Sequence, residues 1–159
     1  MNLIYGVEHY AQTIEYHKCK RHKYTTPKYP GVSFDSTWEI IVYDYLSSNK
    51  ISFEYQPSIS IPYEYDGKQY TYHPDFSVGN KIIEVKGDHY FRINEETGKE
   101  EMYKPYRNKR WSDERYEWEC GKEEAKHQCM IVNNVIILRR KQIESILVNI
   151  DKSAIEVYQ

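Results

Sequence analysis

Two carboxylates and a lysine near the middle of the chain have the types and spacing for chemistry on a phosphate group. In Ile83-Glu84-Val85-Lys86 the predicted strand projects Glu84 and Lys86 from the same face, about 7 Å apart. Asp75 ends the preceding predicted strand, and a short turn folds that strand back beside the next one. Asp75 and Glu84 should therefore converge. Together with the Val85 carbonyl they offer the hard oxygen ligands that Mg²⁺ prefers.

A metal ion held by these groups would neutralise phosphate charge and lower the pKa of a water molecule, while the Lys86 ammonium orients or helps to deprotonate that water. The alternative is that Glu84 and Lys86 form an exposed ion pair and that Asp75 only makes a turn. Exposed ion pairs are common and contribute little stability, so the motif by itself does not separate the two interpretations.

The elements that position these residues follow from hydrophobic spacing and turn signals. Ser36 begins a helix over about 37–48, and Glu39 completes a capping box. Strands are expected over 51–56, 59–65, 68–73 and 81–86, in a three- or four-stranded antiparallel meander with a hairpin turn at Asp66-Gly67. Residues 88–110 predict a long loop, followed by a helix over about 112–129, an apolar strand over 130–138 and a last helix from near Lys141. This order predicts an α/β (α+β) fold with a central mixed β-sheet flanked by helices.

The first 33 residues differ in composition from the rest and predict a separate arm. One short helix over about 10–22 is expected there, before the breakers Pro27, Pro30 and Gly31. Residues 34–159 then form one domain, which agrees with the usual domain size of about 100–200 residues.

The segments His73-Pro74-Asp75-Phe76 and Ile82-Ile83-Glu84-Val85-Lys86-Gly87, with Glu39 on an upstream helix, resemble the PD-(D/E)XK nuclease superfamily over residues 34–138. The resemblance implies a restriction-endonuclease-like core and Mg²⁺-dependent hydrolysis of phosphodiester bonds, with Mn²⁺ as a substitute metal. By matching position it implies that Asp75, Glu84 and the Val85 carbonyl hold the metal and that Lys86 activates water.

The same resemblance implies further roles on two helices. Glu39 would support a metal ion, although it could instead serve only the Ser36 cap. Lys126 and Gln128 match auxiliary residues of related enzymes, the alternative being a solvated helix end. The segment 5–12 resembles a short repeat that precedes nuclease domains in phage and mobile-element proteins, which implies that the arm contacts DNA.

Basic residues near aromatic ones predict further DNA contacts, because phosphate-binding charges and stacking faces are what strand binding uses. The alternative is an exposed charged loop. The candidates lie in the arm and in the segment 103–111: Lys18, Lys20, Arg21, Lys23, Lys104, Arg107, Lys109 and Arg110.

Composition limits the remaining classes. The chain has 159 residues, a net charge of -2 and 17 tyrosines, a surplus that fits either a nucleic-acid surface or a partly exposed core. Three widely spaced cysteines predict reduced thiols, and no close pair favours zinc among His17, Cys19, His22, Cys120 and Cys129. We therefore expect an intracellular protein with no membrane segment. The resemblance to nucleases of phage and mobile elements implies a cytoplasmic protein of a bacterial or phage-infected cell, with no small-molecule cofactor.

The function expected from the sequence is that of a Mg²⁺-dependent endodeoxyribonuclease, with RNA left open as an alternative substrate. Cleavage of both strands generally requires two active sites, so a homodimer is also expected. One alternative is a non-cleaving DNA-binding subunit of the same fold in a phage or mobile-element complex. Another is a tyrosine-rich protein-interaction domain, which would show no salt-dependent affinity for DNA.

Overall fold

The computed structural model describes residues 17–18 and 23–146, and these form two compact units. The first unit comprises the described residues up to Phe53 and those from Leu138 onwards, and the second comprises Glu54–Ile137. The predicted boundary between an arm over 1–33 and a domain over 34–159 stays a prediction.

The first unit begins with two short strands. Strand β1 (His17–Lys18) pairs antiparallel with β2 (Tyr24–Thr25), and Tyr24 also forms a bridge with Phe34. The helix expected over 10–22 is therefore wrong at residues 17 and 18, because these are extended and pair with the chain that follows. The rest of that range and the segment 5–12 lie outside the described residues.

Helix α1 (Thr37–Ser48) has the predicted bounds. The Ser36 side chain accepts a hydrogen bond from the backbone N–H of Glu39 at 3.2 Å, and its hydroxyl donates to Glu39 Oε1 at 3.2 Å. This reciprocal cap satisfies a backbone donor that the first turn of a helix leaves without a partner. The helix buries the apolar side chains of Ile40, Ile41, Val42 and Leu46.

The second unit contains most of the strands: β3 (Glu54–Tyr55), β4 (Ile61–Tyr65), β5 (Lys68–Tyr72), β6 (Phe76–Val78), β7 (Lys81–Val85), β8 (Phe91–Ile93), β9 (Glu100–Met102) and all but the last residue of β10 (Ile136–Leu138). A four-stranded sheet has the order β10-β7-β6-β3, with β3 antiparallel to β6 and β6 antiparallel to β7. The predicted single meander is wrong, because β3 pairs directly with β6 and the β4–β5 hairpin forms a sheet of its own.

The segment predicted as a long loop over 88–110 contains regular structure. A 3₁₀ turn (Asp88–Tyr90) leads into the antiparallel hairpin of β8 and β9. The Asn94 side chain accepts hydrogen bonds from the backbone N–H groups of Glu96 and Thr97, at 2.9 and 3.0 Å, and so fixes the connecting turn. The fully buried Met102 anchors β9 in the core. The hairpin was not predicted because most residues of this segment are polar, and the two strands bury few apolar side chains.

Helix α2 (Asp113–Val132) runs three residues beyond the predicted end. Met130, Ile131 and Val132 were expected in a strand, but they form the last turn of the helix, and only β10 is extended. Asn133 ends the helix, and its side chain donates to the Cys129 carbonyl at 2.8 Å. Residues 140–146 are helical, as expected for a helix beginning near Lys141.

The core of the second unit joins the hairpins to α2. Its buried cluster contains Tyr72, Met102, Cys129 and Met130. Gly121 leaves room for the Tyr65 side chain of the β4–β5 hairpin, because a Cβ atom at this position would collide with the Tyr65 hydroxyl group.

These elements confirm the α+β class with a central sheet and helices, while the restriction-endonuclease-like core stays a prediction. No helix of the described ranges is both long and apolar enough to span a membrane.

Candidate functional site

The hairpin of β6 and β7 brings Asp75 and Glu84 to one place. The register pairs Phe76 with Ile83, and its continuation sets Asp75 opposite Glu84. Asp75 Oδ2 accepts a hydrogen bond from the Val85 backbone N–H at 2.8 Å, which fixes this carboxylate against the end of β7. The convergence expected from the sequence is therefore present, and the chemical roles of the two carboxylates stay predictions.

Glu84 is a buried carboxylate, with 4% of its surface exposed. Its Oε2 accepts a hydrogen bond from the Tyr72 hydroxyl at 2.9 Å, and its Oε1 lies 3.8 Å from Lys86 Nζ. Burial raises the pKa of Glu84, because desolvation penalises the charged form, and this outweighs the positive charges of Lys126 and Lys86 and the hydrogen bond from Tyr72, all of which favour ionisation. Glu84 is therefore a carboxylate whose charged form is poorly solvated inside the protein.

Tyr72 was not predicted as part of the site. It is fully buried and lies at the end of β5, three residues before Asp75. Burial and the neighbouring negative charge of Glu84 raise the pKa of Tyr72 far above its ordinary value, so its hydroxyl stays protonated and donates. The sequence signal was weak, because Tyr72 is one of 17 tyrosines and only the fold sets its hydroxyl against Glu84.

Lys86 is largely enclosed, with 14% of its side chain exposed. Its Nζ lies 4.4 Å from the centroid of the Tyr90 ring, where the negative face of the ring attracts the ammonium group. The alternative of an exposed surface pair between Glu84 and Lys86 does not describe this arrangement, because neither side chain is exposed.

The later helix α2 contributes one of the two auxiliary candidates to the same cluster. Lys126 Nζ lies 5.4 Å from the centroid of the Tyr72 ring, and the Lys126 charge is the largest of the influences that lower the pKa of Glu84. Gln128 is exposed and donates from Nε2 to Glu124 Oε1 at 2.6 Å. The structure thus brings Lys126, but not Gln128, to the Glu84 environment.

Helix α2 also contributes a carboxylate, Glu123, to the surroundings of Glu84, and the sequence did not indicate it. Glu123 accepts a hydrogen bond from Lys104 Nζ at 3.1 Å. Its negative charge contributes to raising the pKa of both Glu84 and Tyr90. Glu123 lies three residues before Lys126, so both side chains project from the same face of the helix. That spacing was the only available signal.

Glu39 belongs to the first unit, where it takes part in the α1 cap. Besides the Ser36 hydroxyl, it accepts a hydrogen bond from the Asp35 backbone N–H at 3.2 Å. The capping interpretation accounts for these contacts, and the predicted catalytic role of Glu39 stays a prediction.

Divalent metal binding was predicted from two carboxylates and the Val85 carbonyl. Across residues 17–18 and 23–146, no group of three or more His, Cys, Asp or Glu side chains is arranged to hold a metal ion. This finding gives no support to a zinc site among the described residues, and Cys120 and Cys129 are both buried free thiols. Asp75 and Glu84 with one carbonyl still fit Mg²⁺, because that ion usually takes one or two carboxylates and keeps several waters.

The predicted DNA-binding residues are only partly described. Lys20, Arg21 and the side chain of Lys18 lie outside the described residues, and Lys23 forms an ion pair with Asp35.

In the second unit, Arg107 is held by the carbonyl of Trp111 at 3.0 Å and by Asp113 at 2.7 Å. Lys109 and Arg110 are exposed, while Lys104 pairs with Glu123.

No family model, no curated protein and no solved structure matches this chain.

Proposed function

We propose that this protein is a Mg²⁺-dependent endodeoxyribonuclease whose site is formed by Asp75, Glu84 and Lys86. The observation that supports the proposal most directly is the enclosed carboxylate of Glu84. It lies beside Lys86 and, by strand register, opposite Asp75. A buried carboxylate whose pKa is raised by desolvation, beside a lysine and a second carboxylate, is a candidate for a functional site, because catalysis requires such environments.

The residues present fit a divalent metal ion. Asp75, Glu84 and the Val85 carbonyl would hold it, and when bound it would supply charge neutralisation at the phosphate and acidify a water molecule. Lys86 would then orient that water through its ammonium group and offset the negative charge that develops at the phosphate, and Tyr90 limits the positions that the ammonium group can occupy. Tyr72 would keep the Glu84 carboxylate in one orientation by donating to Oε2.

Purified protein assayed on supercoiled plasmid, linear duplex, single-stranded DNA and a four-way junction, with Mg²⁺ or with EDTA, tests this proposal. We expect cleavage that requires Mg²⁺ and that falls by roughly 100-fold or more in the Asp75→Asn and Lys86→Met variants, since acid–base and metal-binding groups each contribute on that scale. The Lys81→Met variant is the matched control, because Lys81 begins the same strand but is exposed.

Two results would overturn the proposal. One is equal cleavage by wild-type, Asp75→Asn and Lys86→Met proteins, which would show that the activity belongs elsewhere. The other is salt-dependent DNA binding by a wild-type protein that cuts none of the four substrates, which would favour the non-cleaving DNA-binding subunit.

A further inference from the structure

Three aromatic rings form a ladder that leads outward from Lys86. The ring centroids of Tyr90 and His89 are 4.5 Å apart, and those of His89 and Tyr106 are 5.7 Å apart. Lys86 Nζ lies at the inner end, 4.4 Å from the Tyr90 ring. We call Tyr90, His89 and Tyr106 the aromatic ladder.

The outer end of the ladder is open to solvent. Tyr106 is 73% exposed, and His89 is exposed as well, whereas Tyr90 is half-buried. Among the described residues, Tyr106 is the only aromatic side chain in the set of exposed large hydrophobic residues. A single exposed aromatic residue needs no explanation, but this one continues a series of rings that begins at the candidate site.

The backbone beside Lys86 makes room for the ladder. A Cβ atom at Gly87 would lie 2.5 Å from Cε1 of the His89 ring, so a larger residue would force that ring to move. The φ of Gly87 is -66°, which any residue can adopt. Space for the His89 ring, and not backbone conformation, is therefore what glycine supplies here.

Two cationic residues lie close to Tyr106 in the sequence. Lys109 and Arg110 follow it by three and four residues and are both exposed. Their side chains have no ion-pair partner within the part of the chain that the structure describes, in contrast to Arg107, which is bound to Asp113. Exposed cations in the same segment as an exposed ring are a combination that single-strand binding uses, because cations attract phosphates and rings stack on bases.

We propose that the exposed outer rings of the aromatic ladder, His89 and Tyr106, stack unpaired nucleobases of a DNA strand, one base on each ring because the two ring planes are inclined by 59°. Lys109 and Arg110 would bind adjacent phosphates. The substrate class would then be DNA with single-stranded or frayed nucleotides, because the bases inside a continuous duplex already stack on each other. The position of the scissile phosphate near Lys86 rests on the proposed function, whereas base stacking does not require cleavage.

Binding measured in EDTA tests the proposal without any cleavage. Fluorescence anisotropy would compare a short labelled oligodeoxythymidine with a blunt duplex of equal length, for wild-type protein and for the Tyr106→Ala and Tyr106→Phe variants. Ile93→Ala is the matched control, because Ile93 is an exposed apolar residue of the same unit and is 60% exposed. Circular dichroism of each variant would establish that the fold is retained.

We expect Tyr106→Ala to weaken binding of the single strand by roughly fivefold or more. This factor corresponds to the lower limit of the free energy that alanine substitutions assign to stacking of one base on an aromatic side chain. Tyr106→Phe keeps the ring face and should stay within about twofold of wild type, as should Ile93→Ala on this scale. Binding of the blunt duplex should change little in all three variants.

The stacking proposal would be overturned by a Tyr106→Ala protein that binds the single strand as tightly as wild type, or that loses duplex affinity to the same extent. Failure of the nuclease proposal has a different signature, namely Mg²⁺-dependent cleavage that Asp75→Asn does not reduce. The two measurements share no readout, so each proposal can fail without the other.

Discussion

The hydrogen bond from Tyr72 to Glu84 can be removed with almost no change of shape. Tyr72→Phe deletes only the hydroxyl that donates to Glu84 Oε2 at 2.9 Å, within a fully buried ring. Glu84 is 4% exposed, so water cannot readily replace the lost donor. A hydrogen bond to a charged group contributes about 1.5–3 kcal/mol, and we expect a loss of that size in the free energy of unfolding at a pH where Glu84 is ionised.

For a chain of this length, about 1 kcal/mol corresponds to a change of roughly 2–4 °C in the melting temperature, so Tm should fall by about 3–12 °C. Urea unfolding followed by circular dichroism would measure the free energy directly. Tyr70→Phe is the matched control on the same strand. The Tyr70 ring is half-buried under Lys122 Nζ at 4.1 Å, and within the described ranges its hydroxyl has no hydrogen-bond partner, so the change should be within about 0.5 kcal/mol.

A double-mutant cycle isolates the charge of the acceptor. In a Glu84→Gln background the Tyr72 hydroxyl meets a neutral oxygen, so Tyr72→Phe should cost only about 0.5–1.5 kcal/mol. The reasoning would be refuted if Tyr72→Phe cost no more than Tyr70→Phe, or if it cost the same in both backgrounds. Either result would mean that the Glu84 carboxylate does not depend on this donor.

Two further predictions concern the same region. Because the pKa of Glu84 is raised in the folded protein, its contribution to stability is complete below the ordinary glutamate pKa and is lost as the pH rises through the folded value. The Glu84→Gln variant should therefore be as stable as wild type at low pH and more stable at neutral pH in EDTA, as measured by Tm across a pH series. A Tm difference between the two proteins that does not change with pH would contradict this prediction. The Gly87→Ala substitution should displace the His89 ring and weaken binding of single-stranded DNA by up to about fivefold, while duplex binding stays unchanged. Equal anisotropy titrations of single-stranded DNA for variant and wild type would show that the His89 ring does not contact a base.

The sequence predicted the elements whose signals are local. Ser36 and Glu39 define the start of α1 by a cap that involves only neighbouring residues, and the helix has the predicted bounds. The Asp66-Gly67 turn likewise follows from the ability of its residues to adopt positive φ, which is 50° at Asp66 and 69° at Gly67. The convergence of Asp75 and Glu84 belongs to this class, because the turn between their strands is short.

Pairings between distant segments were not predictable in the same way. The pairing of β3 with β6 depends on competition among strands and not on the propensity of either. Met130, Ile131 and Val132 are apolar enough for a strand, yet the helix continues through them because burial of Met130 in the core outweighs β propensity. Tyr72 and Glu123 lie in the candidate site because of packing between distant segments, so the sequence did not predict them.

The energetics of the Glu84 cluster bear on whether it serves stability or chemistry. Moving charges out of water costs more than their mutual attraction returns unless the geometry is ideal, so well-packed apolar residues usually stabilise a protein as well or better. Here Glu84 lies beside Lys86 at 3.8 Å, beyond a good hydrogen bond, and its pKa is still raised by burial. An arrangement optimised for stability would not leave a carboxylate in this condition. The proposed metal site would account for it, because an incompletely compensated buried negative charge is what a bound divalent ion can neutralise.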